Sequence, residues 1–130
     1  MKYINNNFLV EKVKIQKLVR KFETPLYCYS YEKLKKNIDK FKFNFKSFSP
    51  LICFALKANS NLRIIREVKK LGLGADVVSK GELMKALKAG INSKKIVFSG
   101  VGKTSSELSY AIDKKNNLTY DVFSNFGLMR

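Results

Sequence analysis

The sequence predicts an α/β fold, a partial (β/α)8 TIM barrel of which the chain supplies about the first half. Three observations lead there. Short apolar runs of strand length are each followed by an amphipathic stretch at helical spacing, at intervals of roughly 20 residues. Strands apolar on both faces that alternate with helices imply βαβ units and a parallel sheet. The chain has 130 residues, about half of the ~250 that a closed (β/α)8 barrel needs. An open doubly wound sheet is the alternative architecture. It would normally carry a glycine-rich phosphate loop after its first strand, where this chain has Leu56-Lys57-Ala58-Asn59-Ser60 and no glycine.

The elements follow in order. Phe8 to Val13 alternates apolar and charged residues as a short outlying strand, and Ile15, Leu18, Val19 and Phe22 mark a short helix. Thr24-Pro25 breaks it, because a proline disfavours helix at the residue before it. Leu26 to Tyr29 has strand composition. Ser30 can cap a basic helix running from Tyr31 to about Phe45, with Leu34, Ile38 and Phe41 on one stripe, and Ser49-Pro50 ends that segment. Leu51 to Leu56 is the first apolar strand of the repeat. Asn61 to Leu71 is its helix, with Ile64, Ile65, Val68 and Leu71 on one face and Gly72 closing it. Gly74 to Val78 is the next strand. Ser79 and Glu82 form a capping box for a helix that runs to Ala89, turns Leu83, Ala86 and Leu87 inward and ends at Gly90. Lys95 to Ser99 is a third strand, and Thr104 with Glu107 caps a helix striped by Leu108, Ala111 and Ile112. Residues 1–50 thus read as a lead-in, 51–112 as the first βα units of a barrel, and 113–130 as a divergent tail.

Composition narrows the function. Apolar residues at 45% and charged residues at 28% suit a folded domain rather than a disordered chain. No apolar run approaches the ~20 residues of a membrane span. The N-terminus lacks the apolar core of a signal peptide, so a cytoplasmic chain is expected. There is no histidine, which removes histidine-based triads, zinc proteases and histidine general bases. Two cysteines, Cys28 and Cys53, are too few and too far apart for a zinc site or disulfide framework, and read as small buried thiols. No metal is expected. The net charge of +16 comes from 22 lysines and 4 arginines. They are spread along the chain and lie mostly on the polar faces of amphipathic segments, in the Lys-, Asn-, Ile- and Phe-rich composition of an AT-rich genome. A basic nucleic-acid-binding module is the alternative, although no zinc-finger, RRM, KH or helix-turn-helix pattern accompanies the charge.

Lys57 is the residue that carries chemistry. It follows the apolar run Cys53-Phe54-Ala55-Leu56, at the strand end where catalytic side chains collect in a barrel. An amine among apolar neighbours loses solvation of its charged form and becomes more nucleophilic, as a Schiff-base lysine requires. A strand-end lysine reaching out to water is the other reading of the position.

Phe54-Ala55-Leu56-Lys57-Ala58-Asn59, followed by Ile64-Ile65, Val68 and Gly72, resembles the pyridoxal-phosphate attachment pattern of the group IV (fold type III) decarboxylases. Within that group the chain is similar to the diaminopimelate decarboxylase family. Thr24-Pro25-Leu26-Tyr27, Leu73 to Leu83 and Ile96 to Thr104 with Glu107-Leu108 resemble three further segments of it in order, so that the likeness runs from about Tyr3 to Ile112. It implies an alanine-racemase-like barrel that binds pyridoxal 5'-phosphate, and decarboxylation of meso-2,6-diaminopimelate to L-lysine. Lys57 would bind the cofactor covalently. Asp76 would lie on the neighbouring strand within reach of the Lys57 amine. Glu82 matches an acidic position near the cofactor, although it also serves the capping box. Lys103-Thr104 matches a Gly-Lys-Thr of the family without forming a Walker phosphate loop.

The resemblance also implies a histidine behind the cofactor ring, a glycine-rich phosphate loop, an acid on the pyridinium nitrogen, a C-terminal β domain and a homodimer with shared sites. None is found in residues 113–130, so the chain is expected to be a truncated or frameshifted form with little or no activity of its own. An unclosed sheet would leave two edges open to association. Ornithine, arginine or carboxynorspermidine decarboxylases of the same fold remain alternatives. A small-molecule amino-acid substrate is the expected partner, with no membrane involved.

Overall fold

The computed structural model describes residues 2–114 and 119–120. Two compact units divide the chain, residues 1–44 and 45–130.

The first unit opens with three antiparallel strands in sequence order, β1 (Lys2–Ile4), β2 (Asn7–Val10) and β3 (Val13–Lys14). Asn5 and Asn6, with φ of 46° and 58°, make the first turn, since asparagine tolerates the left-handed region that tight hairpins need. The segment from Phe8 to Val13 is therefore two short strands around a turn at Glu11, not one. Helix α1 (Ile15–Phe22) forms where the apolar spacing predicts it, yet none of its residues is fully buried. Leu26 to Tyr29 corrects the expectation of a strand. It pairs with no strand among the described residues, and Tyr27 and Tyr29 are exposed. Strand composition without a hydrogen-bonding neighbour does not make a strand.

Helix α2 (Tyr31–Asn44) begins at Ser30, whose Oγ accepts from Lys33 N at 3.1 Å. Glu11 supports the same turn from a distance in sequence. Its Oε1 accepts from Ser30 Oγ at 2.7 Å and from Glu32 N at 2.8 Å. Those bonds, the backbone N–H of Glu32 first, hold the Glu11 carboxyl below its ordinary range. Of the stripe expected on α2, Ile38 is buried, Leu34 half-buried and Phe41 exposed.

The second unit is a sheet of four parallel strands flanked by helices. The strands are β4 (Cys53–Ala55), β5 (Gly74–Val77), β6 (Ile96–Phe98) and β7 (Thr119–Tyr120), in that spatial order. Between them come α3 (Leu62–Lys70), α4 (Lys80–Lys88) and α5 (Ser105–Asp113). This is the strand-helix alternation of part of a (β/α)8 barrel. The strand expected from Leu51 to Leu56 is shorter. Leu56 enters a 3-10 turn with Lys57 and Ala58, and in doing so drives its side chain into the core. Strand β7 is an addition, because a two-residue polar and aromatic strand leaves no apolar run to read. The rest of the tail, 115–118 and 121–130, lies outside the described residues.

The helix starts and stops follow their chemistry. Asn61 caps α3 by accepting from Arg63 N at 2.8 Å. Thr104 and Glu107 form a complete capping box on α5. Ser79 accepts from Glu82 N at 3.3 Å, but the Glu82 carboxylate passes Ser79 and takes Val78 N at 2.9 Å, so the box expected there is half formed. Gly72 and Gly90 follow α3 and α4 at φ of 81° and 84°, a conformation glycine adopts without a Cβ clash.

The sheet has two different faces. Ala75 and Val77 of β5 and Ile96 and Phe98 of β6 are fully buried, packed with Ile65 of α3, Leu83 and Ala86 of α4, and Ala111 of α5. By strand alternation, Cys53, Ala55, Gly74, Asp76 and Val97 belong to the opposite face. That second face is small and partly polar, which corrects the expectation of strands apolar on both sides. On α5 the stripe is also shifted: Ala111 is buried and Tyr110 packs on the core, while Ile112 is exposed.

Candidate active site

In a parallel sheet all C-terminal strand ends share one edge, and the chemistry-bearing residues gather at this one. Lys57 stands in the 3-10 turn that leaves β4. Its side chain is exposed, and it forms no hydrogen bond or ion pair among the described residues. The apolar residues before it do not bury it. Leu56 turns inward and the next residue turns out, so the amine is presented to the surface rather than buried.

Asp76 occupies the next strand. Its Cα pairs with Ala55 of β4 on one side and Val97 of β6 on the other. Paired strands lie about 4.8 Å apart, and Lys57 is two residues beyond Ala55, which puts the two Cα atoms roughly 8 Å apart if the chain continues in line with β4. The side chains can meet. In the structure the Asp76 carboxylate is half-buried, and its Oδ1 accepts a hydrogen bond from Ser99 Oγ, just beyond the end of β6. Ser99 is itself fixed by its backbone, which donates to Val77 O at 2.9 Å.

Cys53 lies on the same face. Both cysteines are free and half-buried rather than buried. Burial, and then the nearby Asp76 carboxylate, push the Cys53 thiol above its ordinary range, which keeps it protonated and poorly nucleophilic. Gly74 separates Cys53 from the β6 side. A methyl group there would sit 2.1 Å from Lys95 O and 2.9 Å from Cys53 Sγ.

Glu82 stands half-buried where β5 passes into α4, holding the Val78 N–H. Glu107 ties the next two helix starts together. Its Oε1 accepts from Lys80 N at 3.0 Å, while its Oε2 accepts from Thr104 N at 3.0 Å. The Lys80 N–H, then the Thr104 N–H and hydroxyl, hold the Glu107 carboxyl below its ordinary range. Lys103 is buried and folds back on its own loop, donating to Gly100 O with its ammonium 5.6 Å from the centre of the Phe98 ring. It is therefore built into the β6–α5 loop. Of the residues singled out in the sequence, Lys57 and Asp76 lie toward the C-terminal ends of neighbouring strands and Glu82 at the exit of β5. The Ser99–Asp76 bond, the close approach at Gly74 and the burial of Lys103 were not read from the sequence. Strand alternation could have put Asp76 and Ser99 on one face, but only once the register was known.

A family model described as pyridoxal-dependent decarboxylase, pyridoxal binding domain, matches residues 31–129. The chain belongs to this family. The diaminopimelate decarboxylase of Helicobacter pylori strain J99 is 49% identical over 109 residues, covering 84% of this chain and 27% of the relative. That of Aquifex aeolicus is 41% identical over 115 residues, covering 88% and 27%. Among solved structures, the diaminopimelate decarboxylase of M. jannaschii superposes with a TM-score of 0.87 at 38% identity, over 93% of this chain and 29% of that one. The H. pylori enzyme complexed with L-lysine superposes with a TM-score of 0.76 at 45% identity, over 82% and 27%. The chain thus spans about a quarter of the length of the curated relatives it matches. The match reaches past Ile112 into the tail.

Proposed function

We propose that this chain forms the lysine-bearing part of a pyridoxal-phosphate-dependent carboxy-lyase acting on meso-2,6-diaminopimelate, with L-lysine as product. The observation that carries the proposal is the exposed Lys57 amine at the C-terminal end of β4, one strand from the Asp76 carboxylate. The residues fit an aldehyde cofactor. A primary amine, without a partner among the described residues, is presented at the same end of the sheet as Ala55 and the Asp76 carboxylate. Bound pyridoxal phosphate supplies the aldehyde that condenses with an amine and the ring that takes up electrons as CO2 departs.

The chain's own residues then have separable tasks. Lys57 would hold the cofactor through its amine, at the strand end open to the amino group of the substrate. Asp76, one strand away, would accept a hydrogen bond from the Lys57 amine and keep it at the strand end. Glu82 holds the backbone at the exit of β5 and lines the cofactor side of the rim. The buried Lys103 and the Glu107 bonds keep the neighbouring loops in place. The substrate assignment draws on the diaminopimelate decarboxylases at 38–49% identity, against 26% for the ornithine decarboxylase of Entamoeba histolytica. The resemblance adds a cytoplasmic homodimer as the working assembly.

Release of CO2 from carboxyl-labelled meso-2,6-diaminopimelate, L-ornithine and L-arginine, measured with added pyridoxal phosphate, tests the substrate class. Whatever release occurs is expected to be higher from diaminopimelate than from the other two and to be abolished by Lys57→Ala. A preference for ornithine or arginine overturns the substrate, and release unaffected by Lys57→Ala overturns the site. Lys57 loaded without detectable release confines the chain's part to anchoring.

A further inference from the structure

We infer that Ser99 is a positioning residue for the Lys57 site, acting through Asp76. The inference rests on the reading that Lys57 carries the cofactor. Asp76 lies on the central strand of the triplet β4-β5-β6, at the level of Ala55 and Val97. A carboxylate there could turn its oxygens toward β4, toward β6 or out to solvent. Ser99 removes that freedom. Its Oγ–H donates to Asp76 Oδ1 from the β6 side, and its own position is set by the Ser99 N–H on Val77 O at 2.9 Å. Among the described residues Oδ2 takes no donor, which leaves it for a second one.

The β4 side is where that donor comes from. Asp76 pairs in register with Ala55 of β4, and Lys57 leaves the same strand two residues after Ala55. Ser99 thus holds one oxygen so that the other is aimed at a single amine. This arrangement needs three residues from three successive strands, none adjacent in sequence. Among the described residues nothing else around Ser99 requires a hydroxyl: its backbone bond would survive in any residue but proline, and the core side of β6 is filled by Ile96 and Phe98.

The test is a timed borohydride trap of pyridoxal phosphate on the full chain, with adducts read by peptide mass spectrometry. Labelling of Lys57 is expressed relative to the exposed Lys88, which reports reagent and handling. Wild type is compared with Ser99→Ala, Ser99→Thr, Asp76→Asn and the double variant Ser99→Ala/Asp76→Asn. A hydrogen bond to a charged group is strong enough that Ser99→Ala should slow relative labelling of Lys57 by about tenfold, while Ser99→Thr stays within about threefold of wild type. In the Asp76→Asn background Ser99→Ala should have no further effect, the signature of two residues acting as one unit. Should Ser99→Ala not fold, Ser99→Cys keeps the volume with a poor donor and carries the same comparison.

The outcomes separate cleanly. Wild-type labelling that does not favour Lys57 removes the site and this inference together. Labelling that favours Lys57 but is unchanged by Ser99→Ala removes only the role of Ser99. An equal slowing by Ser99→Ala with and without the Asp76 carboxylate makes Ser99 merely structural and also overturns the inference.

Discussion

Replacing Gly74 by alanine adds a single methyl group at the start of β5, an inner strand of the sheet, and the structure makes its cost large. The new carbon would lie 2.1 Å from Lys95 O and 2.9 Å from Cys53 Sγ, where ordinary contact begins at 3.4 Å. The Cys53 side chain can turn aside. The Lys95 carbonyl cannot, because it belongs to the backbone that leads into β6, where Ile96 pairs with Ala75. Overpacking a core costs about 1–3 kcal/mol, and a clash with backbone belongs at the upper end. A ladder hydrogen bond weakened by the shift adds about 1 kcal/mol. The expected loss is therefore about 3–4 kcal/mol, against a typical domain stability of about 5–15 kcal/mol. Urea unfolding followed by circular dichroism measures it as a lower midpoint with an unchanged slope. Adding Cys53→Ala should not restore stability, since it relieves the lesser clash. A loss under about 1 kcal/mol for Gly74→Ala would refute the close approach of the three strands.

Other substitutions probe the helices and their caps. Leu83→Ala empties part of the core beneath β5 and should cost about 2–5 kcal/mol in the same assay; a loss below that range would mean α4 is not seated on the sheet. Thr104→Ala should cost about 1 kcal/mol and Thr104→Ser much less, as the capping oxygen is kept. Glu107 gives a pH signature. Its folded carboxyl is held below the ordinary 4.5, so its contribution is present above that pH and is lost as pH falls through the lower folded value. Thermal unfolding followed from pH 6 downward should lose stability below about pH 4.5, and less steeply in Glu107→Gln than in wild type. Parallel curves for the two proteins would show that the Lys80 and Thr104 bonds do not matter.

The repeating core was legible because its signals are local. Ile65, Val68, Leu83 and Ala86 recur at helical spacing, and Asn61, Ser79 and Thr104 announce the starts of α3, α4 and α5 within a few residues. What failed depended on partners distant in sequence. Leu26 to Tyr29 has the composition of a strand but nothing to pair with among the described residues, whereas Thr119–Tyr120 pairs with β6 on two residues that announce nothing. Helix α1 was predicted from its apolar spacing, yet Val19 and Phe22 are exposed. Periodicity reports which residues share a face, not whether anything covers it. The site divides in the same way. Lys57 is singled out by its own motif, and its position after an apolar strand puts it at the C-terminal end of β4, where the structure has it. Its solvation could not be read from its neighbours, because the turn at Leu56 reverses which side chain points inward. Ser99 became visible only when the register set it beside Asp76.

The central claim is that one lysine among 22 is the cofactor's anchor. Incubation with pyridoxal phosphate, borohydride reduction and peptide mapping tests it most directly. A single dominant adduct at Lys57, close to one per chain and absent from Lys57→Ala without gain elsewhere, is the predicted map. Adducts distributed over the exposed lysines in proportion to their accessibility, with Lys57 no different from Lys88 or Lys94, would contradict it.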